Sequence, residues 1–174
     1  NNLKELKKYG LFPMIRVASY TSGSNWIKIG PSDARIMGQN LSKALNEVTG
    51  FPQKPFVMFG NEVNLHPEWG GQANAAEFAD ALAAFMDGMG QGNFSNYFPA
   101  LSYGADGANG FMPIDFINAF FAGQAIQNKR FDGAALNIYG PDAASITTQS
   151  TSQKSSFNNV SQFFSQPLKS YLSE

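Results

Sequence analysis

At 174 residues with 43% apolar side chains, 16 of them Phe, the chain can build one packed core, as a domain or as part of a larger one. Lys and Arg number 12 against 13 Asp and Glu, so neither a basic surface for nucleic acid nor a charged tail is expected; polarity rests on Asn, Gln, Ser and Gly, which suits neutral polar ligands. The lack of cysteine excludes thiol catalysis, zinc–thiolate sites and disulfides. No apolar run approaches the ~20 residues that span a bilayer, and the opening Asn1-Asn-Leu-Lys4 does not resemble a signal peptide.

In chain order, Leu3 and Leu6 among Lys and Glu predict the last turns of an amphipathic helix stopped at Gly10. Phe12 to Ser19 reads as a short apolar strand containing Arg16, and Tyr20 to Pro31 as a Ser/Gly/Asn loop carrying Trp26. Ser32 or Asp33 can cap a helix that runs to about Val48 and ends at Thr49-Gly50. Pro55 to Gly60 is the next strand, followed by a loop over His66 to Asn74 with Trp69. Ala75 to Met89 is an Ala-rich helix with Phe78, Leu82, Phe85 and Met89 on one face. Tyr97 to Tyr103 reads as a strand, Gly104 to Met112 as a Gly-rich loop, and Pro113 to Asn128 as a helix with Pro113 in its first turn. The Phe116, Phe120 and Phe121 face of that helix is expected to pack on the sheet. Phe131 to Tyr139 is a further strand, Gly140 to Ser156 a polar loop, Phe157 to Gln166 a short helix and Pro167 to Glu174 a last strand.

Strands alternate with helices, and the loops after strands are the long ones. That pattern predicts an α/β chain with a parallel sheet and right-handed crossovers. No G-x-G-x-x-G turn leads from a strand into a helix, so a dinucleotide-binding fold lacks its fingerprint and no cofactor is expected. The expected architecture is a partial (β/α)8 TIM barrel over residues 1–174, since a closed barrel takes eight strands and about 250 residues.

The run Pro55-Phe-Val-Met-Phe-Gly60 ends in Asn61-Glu62, an apolar strand handing a carboxylate to a loop. Taken alone, Glu62 is equally well the first solvated residue after burial stops. Pro167 to Glu174 has the same design, a Pro, a strand and a terminal Glu. Residues of equal parity share a strand face, so Phe56, Met58, Gly60 and Glu62 match Leu168, Ser170, Leu172 and Glu174. Two carboxylates facing each other across a cleft, one protonated and one ionised, are the machinery of glycoside hydrolysis.

The stretch from Gly60 to Gly71, with Ala75-Ala-Glu-Phe-Ala79 after it, resembles the fourth-strand signature of clan A glycoside hydrolases, retaining (β/α)8 enzymes with Asn-Glu-Pro at that place; Val63 stands where the family usually has Pro. The resemblance covers strands three to seven. It implies that Glu62 is the acid/base, that Asn61 holds the sugar 2-hydroxyl, and that Glu174, ending the seventh strand by direct count, is the nucleophile. It further implies that Tyr139 contacts the nucleophile, with Asn137 where the family often has His. An oligo- or polysaccharide substrate follows, and such a substrate would suggest export to the outside or surface of the cell.

Other residues have two readings each. Trp26 and Trp69 either stack on sugar faces or pack under their own loops. Arg16, inside an apolar strand, needs a partner: a catalytic carboxylate, which is favoured, or a structural ion pair. His66, the only histidine, is expected to cap its loop, and no transition-metal site is expected. Glu68 is expected to be solvated, Asn46-Glu47-Val48 to repeat the motif by coincidence on a helix, and Asp106 to Gly110 to lack the spacing of a calcium loop. The expected function is retaining hydrolysis of O-glycosidic bonds; the rival is a non-catalytic carbohydrate-binding or cell-surface module on a degenerate barrel.

Overall fold

The computed structural model describes residues 2–137, 148 and 160–163. It is a mixed α/β structure. Helix α1 (Asn2–Lys8) leads into strand β1 (Met14–Val17), a small hairpin of β2 (Thr21–Ser22) and β3 (Asn25–Trp26), and helix α2 (Pro31–Asn46). Strand β4 (Phe56–Phe59), a 3-10 turn (Pro67–Trp69), helix α3 (Ala75–Met89), strand β5 (Ser95–Phe98), helix α4 (Pro113–Ala122), a second 3-10 turn (Gln124–Ile126) and strand β6 (Gly133–Ala134) follow. Strands β1, β4, β5 and β6 form one parallel sheet in that order, with Met14 opposite Phe56, Val57 opposite Asn96 and Tyr97 opposite Gly133. Among the described residues the strand order does not reverse, so no switch point of the doubly wound kind occurs there. Among the described residues it stays open, with β1 and β6 as its edges.

The faces of the sheet differ. Val57 and Phe59 of β4 and Phe98 of β5 are buried toward the helices. There Phe59 stacks on Phe85 at 4.8 Å, and Phe98 meets Phe120 at 5.1 Å and Phe121 at 5.6 Å. Phe78, Leu82, Phe85 and Met89 of α3 are all buried, as their helical spacing predicts. Helices α2 and α3 approach backbone to backbone: a Cβ on Gly38 would lie 2.3 Å from the Phe85 carbonyl, and one on Gly88 2.1 Å from that of Arg35. The other face carries Met14, Phe56, Met58 and Tyr97, which with Ala134, Ala135 and Leu136 line a hollow of 240 Å³.

Several elements depart from expectation. Helix α2 starts at Pro31 with Gly30 as its N-cap, so Ser32 and Asp33 lie inside its first turn. The loop from Tyr20 contains the hairpin, turned at Gly23 with φ +62°. Strand β5 starts two residues before the expected Tyr97 and ends at Phe98, five before the expected Tyr103, because Pro99 has no N–H to extend the ladder. Helix α4 stops at Ala122, where Gly123 turns extended. Of the strand expected over 131–139, the described part ends at Asn137, and it pairs in the sheet at β6. The expected strand over 167–174, most of the helix over 157–166, and with them Tyr139 and Glu174, lie outside the described residues. Among the described residues no helix is long and apolar enough to cross a membrane.

Candidate functional site at the carboxyl ends of the strands

After Phe59 the chain leaves the sheet abruptly. Gly60 takes φ +83°, and its N–H still donates to the Val17 carbonyl at 2.8 Å. Glu62 takes φ +45°, the one non-glycine residue with positive φ among those described. An L-residue held in this left-handed region carries strain that surrounding contacts must maintain, and such residues cluster at functional sites. Here the contacts are explicit: the Glu62 N–H donates to the Ala100 carbonyl at 2.7 Å, and the Leu65 N–H donates to the Glu62 carbonyl at 2.8 Å. The alternation carried through Gly60 to Glu62 in the sequence therefore fails. The direction of Glu62 is set by a turn, not by the pleat.

Asn64 holds that turn. It is fully buried, and its side-chain amide donates to the carbonyls of Ser102 and Phe111, both at 2.9 Å, while its oxygen accepts from the Ser102 N–H at 2.8 Å. The loop after β4 is thereby tied to the loop after β5. Leu65 bridges Gly110 alongside, so closely that a Cβ on Gly110 would lie 2.1 Å from the Asn64 carbonyl. His66 serves its loop, its Nδ1 accepting from the Ala73 N–H at 3.1 Å.

The Glu62 carboxylate is reached from across the sheet. Asn137, just past β6, donates from Nδ2 to Glu62 Oε1 at 2.9 Å and approaches Asn61 Oδ1 at 3.5 Å. Three of the residues singled out in the sequence, Asn61, Glu62 and Asn137, thus come together, and Asn137 serves the acid/base candidate directly.

A second group adjoins them. Arg16, Trp26, Asn61, Glu68 and Trp69 line a slot of 20 Å³. Arg16 is exposed, not buried as a position within an apolar strand suggested; its guanidinium lies over the Trp26 ring at 5.9 Å. Trp26 is half-buried, and the Gly70 N–H donates to its carbonyl at 2.8 Å, docking the hairpin on the 3-10 turn. Trp69 is only 4% exposed and packs edge-on against Phe78 at 5.2 Å, so its ring faces are spent in the core and not offered for stacking. Glu68 is half-buried in the slot and is not the solvated loop residue expected. Burial pushes its carboxyl above the usual carboxylate range, the nearby Glu62 carboxylate adds to that, and Arg16 opposes it. Lys28, next to the slot, is engaged with Glu77 at 2.7 Å.

Glu68, Asn64 and the left-handed Glu62 are what the sequence reading missed. A Gly-Ser pair between Ser22 and Asn25 is a known hairpin signal, and recognising it would have placed Trp26 over the Glu68 turn. Nothing local in the sequence marks Asn64 as the clamp. Among the described residues no three His, Cys, Asp or Glu side chains group as metal ligands. Compared with protein-family models, with curated proteins and with solved structures, the chain gives no significant match.

Proposed function

We propose that the chain is part of a retaining glycoside hydrolase of (β/α)8 type, with Glu62 as its acid/base. One observation carries the reading: a carboxylate at the carboxyl end of a central parallel strand, on a strained backbone, oriented by an Asn from a strand two places away. Sites at the carboxyl ends of parallel strands are the rule in such folds. The unreversed strand order and the successive packing of α2, α3 and α4 on one face support the barrel assignment.

In the proposed reaction Glu62 gives its proton to the glycosidic oxygen as that bond breaks, and Glu174 attacks the anomeric carbon to form a glycosyl–enzyme ester. Water, deprotonated by Glu62, then displaces Glu174 and releases the sugar with its configuration retained. Asn137 fixes the direction of the Glu62 carboxyl, and Asn61 beside it is placed to hold a ring hydroxyl. Tyr139 is assigned to the nucleophile's surroundings and Trp26 to the wall of a sugar subsite. The test is the full-length Glu62→Gln protein on a panel of aryl glycosides. Hydrolysis should fall at least about a hundredfold on any substrate that the parent cleaves; unchanged hydrolysis would sink the assignment.

A further inference from the structure

Glu68 takes no part in that chemistry, yet it is built into the same end of the sheet. The 3-10 turn that carries it is held by the hairpin through Trp26, and the slot it lines receives Arg16 from β1 and Asn61 from the turn after β4. Ile27, Ile29 and Phe59 supply apolar wall. A volume of 20 Å³ admits a single water molecule or hydroxyl group. Opposite charges line it, but they do not close on each other: Arg16 lies over Trp26, and no ion pair between Arg16 and Glu68 forms among the described residues. A carboxylate only accepts hydrogen bonds and a guanidinium only donates them. A hydroxyl does both, so a sugar hydroxyl can satisfy both sides at once.

We propose that Arg16 and Glu68 form a one-hydroxyl recognition slot beside Glu62, which selects the sugar by a single ring hydroxyl donating to Glu68 and accepting from Arg16. This rests on the glycosidase reading and adds its specificity determinant. A site that hydrogen-bonds a hydroxyl rejects the analogue lacking it, because its own polar groups are then left unpaired. The exposure of Arg16 moderates that penalty here, and about a tenfold to hundredfold loss is expected for the deoxy sugar.

The experiment uses the full-length Glu62→Gln protein, in which turnover is slowed, titrated with methyl glycosides of the common hexoses and xylose in both anomers, whose poor leaving group needs the acid that this variant lacks. The tightest binder is then replaced by its mono-deoxy forms. One deoxy form should bind about tenfold to hundredfold more weakly. Adding Glu68→Ala should weaken the intact sugar by a similar factor and abolish discrimination against that one form, with Glu68→Gln intermediate. A deoxy series with no such step overturns the slot while leaving the glycosidase reading standing, and it needs no Glu68 variant to fold. Unchanged affinity in folded Glu68→Ala does the same. A panel that the unsubstituted protein neither binds nor cleaves overturns both readings.

Discussion

Asn137 Nδ2 donates to Glu62 Oε1 at 2.9 Å although the two residues are 75 apart in the chain. The bond joins the exits of β4 and β6 over the intervening β5. A carboxyl with a fixed direction can meet a glycosidic oxygen along a lone pair, whereas a freely rotating one spends entropy to do so. Replacing Asn137 by Ala should therefore lower kcat about tenfold to hundredfold, the worth of one hydrogen bond to a charged group, with less effect on KM. A kcat equal to the parent's would remove Asn137 from the site.

The Asn64 clamp makes a stability prediction. Asn64→Ala leaves the Ser102 N–H and the Ser102 and Phe111 carbonyls without the partners they have in the structure. A buried group so orphaned costs roughly 1 to 3 kcal/mol, and these are only partly buried and open to water, so a net loss of about 1 to 3 kcal/mol is expected in urea unfolding. Asn64→Asp keeps the acceptor and should recover part of it only at acidic pH, where the protonated carboxyl can donate. A loss under about 0.5 kcal/mol, the size of an ordinary surface substitution, would mean that the loops hold without the clamp.

Helix propensity and packing oppose each other at Gly38 and Gly88. Gly→Ala in a helix interior normally stabilises by about 1 kcal/mol. At these two positions the added methyl would meet the carbonyls of Phe85 and Arg35 at 2.3 and 2.1 Å, and backbone cannot step aside as a side chain can. Overpacking of this kind costs about 1 to 3 kcal/mol, so each substitution should destabilise the protein despite its propensity gain. A rise in Tm for Gly38→Ala or Gly88→Ala would show that α2 and α3 are spaced more widely than described.

Where the sequence was legible, local chemistry decided the outcome. Helix α3 begins where Asn74 accepts from the N–H groups of Ala76 and Glu77 and ends before Gly90 at φ +60°, and Phe78, Leu82, Phe85 and Met89, the large residues of its expected face, are all buried. The β4 core run was equally plain. Reading failed where geometry comes from elsewhere in the chain. Strand alternation said that Glu62 continues the pleat, but Gly60 and Glu62 at positive φ break it, and the bonds that hold them there come from Val17, Ala100 and the Asn64 clamp. Glu68 looked like an exposed loop residue because its burial is made by a hairpin some 40 positions earlier. Trp69 looked like a sugar platform because its loop is on the right side of the sheet, yet Phe78 claims its ring.

Glu68 ties stability to pH in a direction opposite to that of most carboxylates. Its folded-state carboxyl is raised above the usual range, first by burial and then by Glu62, against the pull of Arg16. Between the unfolded value near 4.3 and the raised folded value, the folded protein binds more protons than the unfolded chain, so this group makes stability fall as pH rises. Its contribution is fully present below the unfolded value and is lost as pH passes through the folded one. Glu68→Gln removes the titration. The variant should gain stability relative to the parent between about pH 4 and pH 7, seen as a widening difference in urea midpoints at pH 4, 5.5 and 7. The same substitution should weaken sugar binding, so the ionised Glu68 would be kept at a cost to folding because it serves the ligand. A midpoint difference that stays constant across that range would mean that Glu68 ionises as freely in the folded protein as in the unfolded chain, and the slot would lose the partial burial on which its selectivity depends.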